Sequence, residues 1–163
     1  MATMAWKIYA AAKLAIGTGG NAMTAQGVTL GVGVFKMSLH RAAASANIIA
    51  VSTRVLFSSI GNEITAQGGY AANGRNLLPT TGKWVAGRSA KEYKFTYTVT
   101  PGLVFTANGA ALSGIKFALI RTSNGAGTGR VVCYCSLSSS EFSIASPNTL
   151  TITPHANGVF TMA

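Results

Sequence analysis

The chain has 163 residues, among them thirteen Lys or Arg, three Glu and no Asp, for a formal net charge of +10. Hydrolytic, phosphoryl-transfer and metal chemistries draw on carboxylates as acids, bases and ligands; with only Glu63, Glu92 and Glu141, far apart in sequence, the composition argues against an enzyme. A hydrophobic share of 48% excludes a disordered chain, while a charged share of 10%, against about 25% in ordinary globular domains, points to a surface of Ser, Thr, Asn, Gln and Gly that neighbouring subunits cover and whose cationic excess suits an acidic partner.

In chain order, Thr3 to Ile16 has helical spacing. Thr3 serves as N-cap, Ala5, Tyr9, Ala12 and Ile16 form an apolar stripe, and Gly17, Gly19 and Gly20 form the stop. So short a helix must dock, on the chain's own β-core or on a neighbouring subunit. Val28 to Leu39 alternates as a strand, with a kink or bulge near Gly31 and Gly33. Residues 41–47 are a turn, loop or short helical turn. Ile48 to Ile60 fits no single period: Val51 to Phe57 favours strand, and a helical turn over Ser58 to Thr65 fits equally. Gln67 to Tyr70 and Asn73-Gly74 mark turns.

Strand signals then recur at Lys83 to Gly87 and in Tyr93, Phe95, Tyr97 and Val99, which alternate with Lys94, Thr96 and Thr98. More follow at Leu103 to Thr106, Ile115 to Arg121, Arg130 to Leu137, Phe142 to Ile144, Thr149 to Thr153 and Val159 to Met162. Short strands with turn signals every 8–12 residues are the pattern of a β-sandwich or barrel. The expected fold is mainly β, a jelly-roll-like β-sandwich (28–163) with one short N-terminal helix (3–16), in a single domain. An Ig-like sandwich or a closed barrel stands behind it. No run of about 18 apolar residues is free of charge, so no membrane partner is expected. The first residues lack a basic region ahead of an apolar core, which predicts no secretory signal and assembly in a cytoplasm.

Few constellations offer chemistry. Cys133 and Cys135 share one face of a strand, poorly oriented for a mutual disulfide. They read as small buried hydrophobes, since a metal site needs two more ligands. His40 and His155 are not spaced as partners and read as strand-end or loop residues. Gly125 to Gly129 has neither the following helix of a dinucleotide fingerprint nor the Lys-Ser/Thr of a phosphate loop. It is a hairpin loop. No Gly-x-Ser-x-Gly element occurs, and no cofactor, metal or catalytic residue is expected. Lys and Arg are mostly singletons, which weighs against nucleic acid. The one grouping with aromatic company is Lys83, Trp84, Arg88, Lys91 and Lys94, beside Tyr93. It is the candidate patch for an acidic partner, with Trp6 on the N-terminal helix as a further interface anchor.

Met1 to Tyr9 with Ala11-Ala12-Lys13-Leu14 and its glycine stop resembles the start of a family of small virion proteins of tailed bacteriophages. Phe35 to Leu39, Asn62-Glu63-Ile64, Gly68-Gly69-Tyr70, Lys116 to Ile120 and Thr149 to Thr161 continue the likeness in order over most of the chain. None of these pieces is a catalytic signature. The resemblance implies a capsid decoration or cement protein on the virion head surface, partnered by the major capsid protein and by itself as a dimer or trimer, often with a jelly-roll-like fold. The acid-poor composition departs from the family pattern. A tail, neck or head-fibre component is the alternative, followed by a basic nucleic-acid-binding β-domain.

Overall fold

The computed structural model describes residues 5–17, 35–51, 56–77, 83–86, 93–97, 103–123, 129–155 and 157–162. The fold is mainly β, with antiparallel pairing throughout the described strands. Its centre is a five-stranded sheet in the order β1 (Lys7–Ile8), β9 (Val131–Ser136), β8 (Phe117–Thr122), β2 (Phe35–His40), β3 (Arg75–Asn76). Every residue of β8 is buried, as are Val131 to Cys135 of β9 and all of β2 except Lys36. Both faces of β8, β9 and β2 are therefore covered, which is why β8 and β9 read as near-continuous apolar runs, whereas β2 alternates and buries polar side chains on one face.

Directly opposed residues share a face. One face carries Phe35, Met37, Leu39, Ala118, Ile120, Cys133 and Cys135. It packs on a second set of strands: β4 (Lys83–Ala86), β5 (Tyr93–Thr96) and β12 (Phe160–Met162) in one sheet, and β6 (Leu103–Thr106) with β11 (Thr149–Ile152) in another. The join is aromatic. Phe35 meets Phe95 edge-on at 5.2 Å between ring centroids, and Phe95 stacks on Phe160 at 5.1 Å. The Tyr97 hydroxyl donates to the Ile152 carbonyl at 3.1 Å, tying the end of β5 to β11. β7 (Leu112–Ile115) and β10 (Phe142–Ile144) form a further pair.

The opposite face carries Lys36, Ser38, His40, Leu119, Arg121 and Tyr134. It lies under α1 (Ala10–Gly17), a 3-10 turn at Ala42–Ala44 running into α2 (Ser45–Ile48), and a second 3-10 turn at Phe57–Ser59. Tyr9 anchors this layer. Its ring lies 5.8 Å from that of Tyr134, and its hydroxyl donates to the Ile48 carbonyl at 2.9 Å.

Four expectations change. The helix begins at Ala10, because Lys7 and Ile8 pair with Tyr134 and Cys133 as β1 and the Tyr9 N–H donates to the Val132 carbonyl; pairing with β9 overrides the helical spacing read across Lys7 and Ile8. Its proposed cap, Thr3, lies outside the described residues, as do Gly19, Gly20 and Val28 to Val34 of the expected strand. The single strand expected at Ile115 to Arg121 is two, β7 and β8, which pair with different partners. Gly114, at φ +77, lies in β7 just before that division, in a left-handed conformation glycine adopts freely. Arg75–Asn76 forms an edge strand on β2 that turn chemistry alone did not announce. The ambiguous Ile48 to Ile60 stretch contains the end of α2 and the 3-10 turn, and Leu56 bridges to Arg130.

Candidate functional site

Of the six residues marked in the sequence, four are described: Lys83, Trp84 and Lys94 on one sheet and Trp6 beside another. Lys83 and Trp84 stand in β4 opposite Thr96 and Phe95, and Lys94 stands in β5 between Val85 and Thr161. These three share the three-stranded sheet. Trp6 is half-buried against the core just ahead of β1, on the five-stranded sheet. Arg88 and Lys91 lie outside the described residues, as does most of the Gly125 to Gly129 loop. Elsewhere, Lys7, Lys13 and Arg75 are exposed, and Lys36, Arg41, Lys116 and Arg130 are half-buried. Arg41 donates to the Thr65 hydroxyl at 3.2 Å, and the Lys116 ammonium sits 5.4 Å from the Phe117 ring centre.

The most organised polar assembly is one that sequence spacing did not single out. On the covered face of β2, Ser38 and His40 are both 0% exposed. His40 Nδ1 lies 2.9 Å from the Gly61 carbonyl, and its Nε2 lies 2.9 Å from the Ser38 hydroxyl. A carbonyl only accepts, so the neutral ring carries its proton on Nδ1 and accepts from Ser38 at Nε2. Burial lowers the His40 pKa to about 4; the bond to Gly61 opposes the shift and the nearby Arg121 adds to it. The Phe57 ring closes the pocket edge-on at 5.7 Å.

Arg121 lies on the same face, 1% exposed, with its guanidinium 4.1 Å from the Phe57 ring centre. It donates to the Thr122 carbonyl at 3.0 Å and the Asn73 carbonyl at 2.9 Å, while Nε has no hydrogen-bond partner. Burial depresses its pKa, against the favourable influence of Glu63 and then Tyr70. Glu63 accepts a 2.5 Å hydrogen bond from the Tyr70 hydroxyl, which in turn accepts from the Leu39 N–H at 3.0 Å. Burial above all, with the Glu63 charge next, raises the Tyr70 pKa. A side chain thus supplies the partner that β2 lacks at Leu39, where the 61–77 segment wraps the strand's edge.

A serine bonded to a histidine whose other nitrogen is oriented by an acceptor is the geometry of an activated hydroxyl. Here both side chains are sealed from solvent, and no substrate reaches them in this conformation. Glu141, the other described carboxylate, accepts from the Ala42 N–H at 2.6 Å. Cys133 and Cys135 are free thiols buried in the core. Burial raises both pKa values, that of Cys135 to about 12. Among the described residues no group of three or more His, Cys, Asp or Glu is placed to hold a metal ion, and no helix is long and apolar enough to cross a membrane.

Ser38 was legible only as a position in the expected strand Val28 to Leu39, and His40 only as a strand-end or loop residue. What makes them a buried network is Phe57 and Arg121, distant in sequence, and no local spacing encodes that meeting. No family model, curated protein or solved structure matches the chain.

Proposed function

We propose that this chain is a non-enzymatic structural protein of a bacteriophage virion: a capsid cement or decoration protein that binds the outer head shell and stabilises contacts between capsomers. Its strands would then be those of a jelly-roll-like sandwich, and its partners the major capsid protein and further copies of itself.

One observation carries this reading: among the described residues, most groups suited to chemistry are buried or engaged, while several cations face outward. Ser38, His40, Cys133 and Cys135 are buried, and Glu63 and Glu141 accept hydrogen bonds from Tyr70 and Ala42. Lys7, Lys13 and Arg75 face solvent on a chain of net charge +10. Such a molecule is a rigid scaffold with a cationic exterior, suited to gripping an acidic shell. A clamp across capsomer joints raises the cost of separating them, and many symmetric copies add together.

Co-sedimentation with purified heads that lack the protein tests the proposal. Saturable binding that weakens with salt and raises the temperature at which heads release DNA is expected. Protein that stays in the supernatant at low salt overturns it. Retention on DNA alone, with log affinity falling steeply against log salt, would instead favour the nucleic-acid alternative.

A further inference from the structure

We infer that His40 is a proton-operated latch: while neutral it holds the 57–64 segment against the edge of β2, and on protonation it releases that segment while the β2–β8–β9 sheet stays paired. The inference is independent of which partner the molecule binds.

The latch is built from few contacts. The segment meets β2 through the Ile64 N–H to the Leu39 carbonyl, the Arg41 N–H to the Asn62 carbonyl and the His40–Glu63 bridge, and it meets the chain just ahead of β9 through the Phe57 N–H to the Gly129 carbonyl. The His40 side chain ties the strand to the turn through Gly61, Tyr70 joins Leu39 to Glu63, and Asn47 donates to the Ile60 carbonyl from α2. That turn runs through left-handed backbone at Gly61 (φ +67) and Asn62 (φ 48), a conformation that a non-glycine residue keeps only while its surroundings hold it. By contrast, β8 is hydrogen-bonded on both sides, to β2 and β9, and entirely buried.

The groups facing His40 explain why a second charge is not tolerated. From its own strand comes Ser38, a neutral hydroxyl. From β8 comes the buried guanidinium of Arg121. From the 3-10 turn comes the apolar ring of Phe57. From the wrapping segment come Glu63 and Tyr70, bonded to each other. The loop before β8 contributes only the Lys116 backbone N–H, bonded to the His40 carbonyl. Protonation would set a second cation near buried Arg121 where the His40 ring is closed to water, with the half-buried Glu63 carboxylate already engaged by Tyr70. Lifting the 57–64 segment lets the imidazolium reach water and leaves the backbone of Leu39 to Arg41 as an open strand edge, able to accept an extended segment of another chain.

The sign follows from the ring's depressed pKa. A free histidine titrates near 6.5 and this one near 4. The closed form therefore keeps its full advantage above the free value and loses it as pH falls from there toward the folded value, with opening rising about tenfold per pH unit across that window.

Amide hydrogen exchange between pH 7.5 and 4.5, corrected for the intrinsic exchange rate, reads the latch directly. The Arg41, Phe57 and Ile64 amides report opening of the segment, and the β8 amides report the sheet. Expected is an opening equilibrium at the three reporters that climbs about tenfold per pH unit below about 6.5, with β8 protection retained, and a flat profile in His40→Gln. Reporters and β8 losing protection together, or an unchanged slope in His40→Gln, overturns the proposal. Should His40→Gln fail to fold, the wild-type imidazole is followed by NMR instead. Titration of His40 near the free value without any change at the reporters also overturns it.

Discussion

At the scale of single residues, the fold depends on a few side chains that complete what the backbone leaves unfinished. Tyr70 is the clearest. Its hydroxyl accepts from Leu39 and donates to Glu63, and its ring lies 5.8 Å from that of Phe105. Tyr70→Phe keeps the ring and removes both bonds, leaving a buried strand N–H without its partner. The expected loss is about 1–3 kcal/mol in urea unfolding. Gly74 adopts φ +72, and a Cβ placed there would stand 2.2 Å from the Met37 carbonyl oxygen. Gly74→Ala must therefore push β2 aside, and a lowered unfolding midpoint exceeding that of Gly109→Ala is expected, because Gly109 shares the left-handed backbone (φ +73) with open space around it. The two thiols give a third check. Cys133 and Cys135 are buried and their pKa values are raised, so an aromatic disulfide reagent at pH 8 should modify neither in the native protein and both in denaturant. Rapid native labelling would show that the β9 face opens readily.

At the scale of elements, the two layers are joined through one aromatic column, Phe35 to Phe95 to Phe160. Phe95 is fully buried at its centre. Phe95→Ala is expected to cost about 3–5 kcal/mol, measured by chemical denaturation, and to loosen β4, β5 and β12 together. The same elements show how far sequence carries. Leu103–Thr106 and Phe142–Ile144 fall where their apolar residues place them, because each short strand lies between turn residues that mark its ends. The N-terminal stripe was legible only in part: Tyr9 and Ala12 are buried, but Ala5 is exposed and Tyr9 lies ahead of the helix, after β1. β1 was not legible, because two residues pair with β9 for reasons that lie far along the sequence, as Lys7 opposite Tyr134 shows. β3 is likewise a product of the edge of β2 and not of its own Arg75 and Asn76. Of the candidate patch, the strand positions of Lys83, Trp84 and Lys94 were legible from alternation, whereas the separation of Trp6 from them is a matter of topology. The buried Ser38–His40–Arg121 assembly was invisible for the same reason: β2, β8 and the 3-10 turn bring its members together from distant parts of the sequence.

At the scale of the whole molecule, the balance of charge is the fact the function must satisfy. Thirteen cations and three carboxylates share a chain whose charged fraction is only 10%, and both described carboxylates accept hydrogen bonds from the fold itself. An exterior so weakly ionised and predominantly cationic is poorly protected from association, and in the proposed role it would meet an acidic surface. The most direct test is an image of the assembled particle that contains this chain, at a resolution where strands are traced. Many symmetric copies on the outside of the head, spanning capsomer joints with lysines and arginines against the shell, are predicted; copies lining the packaged DNA, or confined to the tail or neck, would contradict the proposed role.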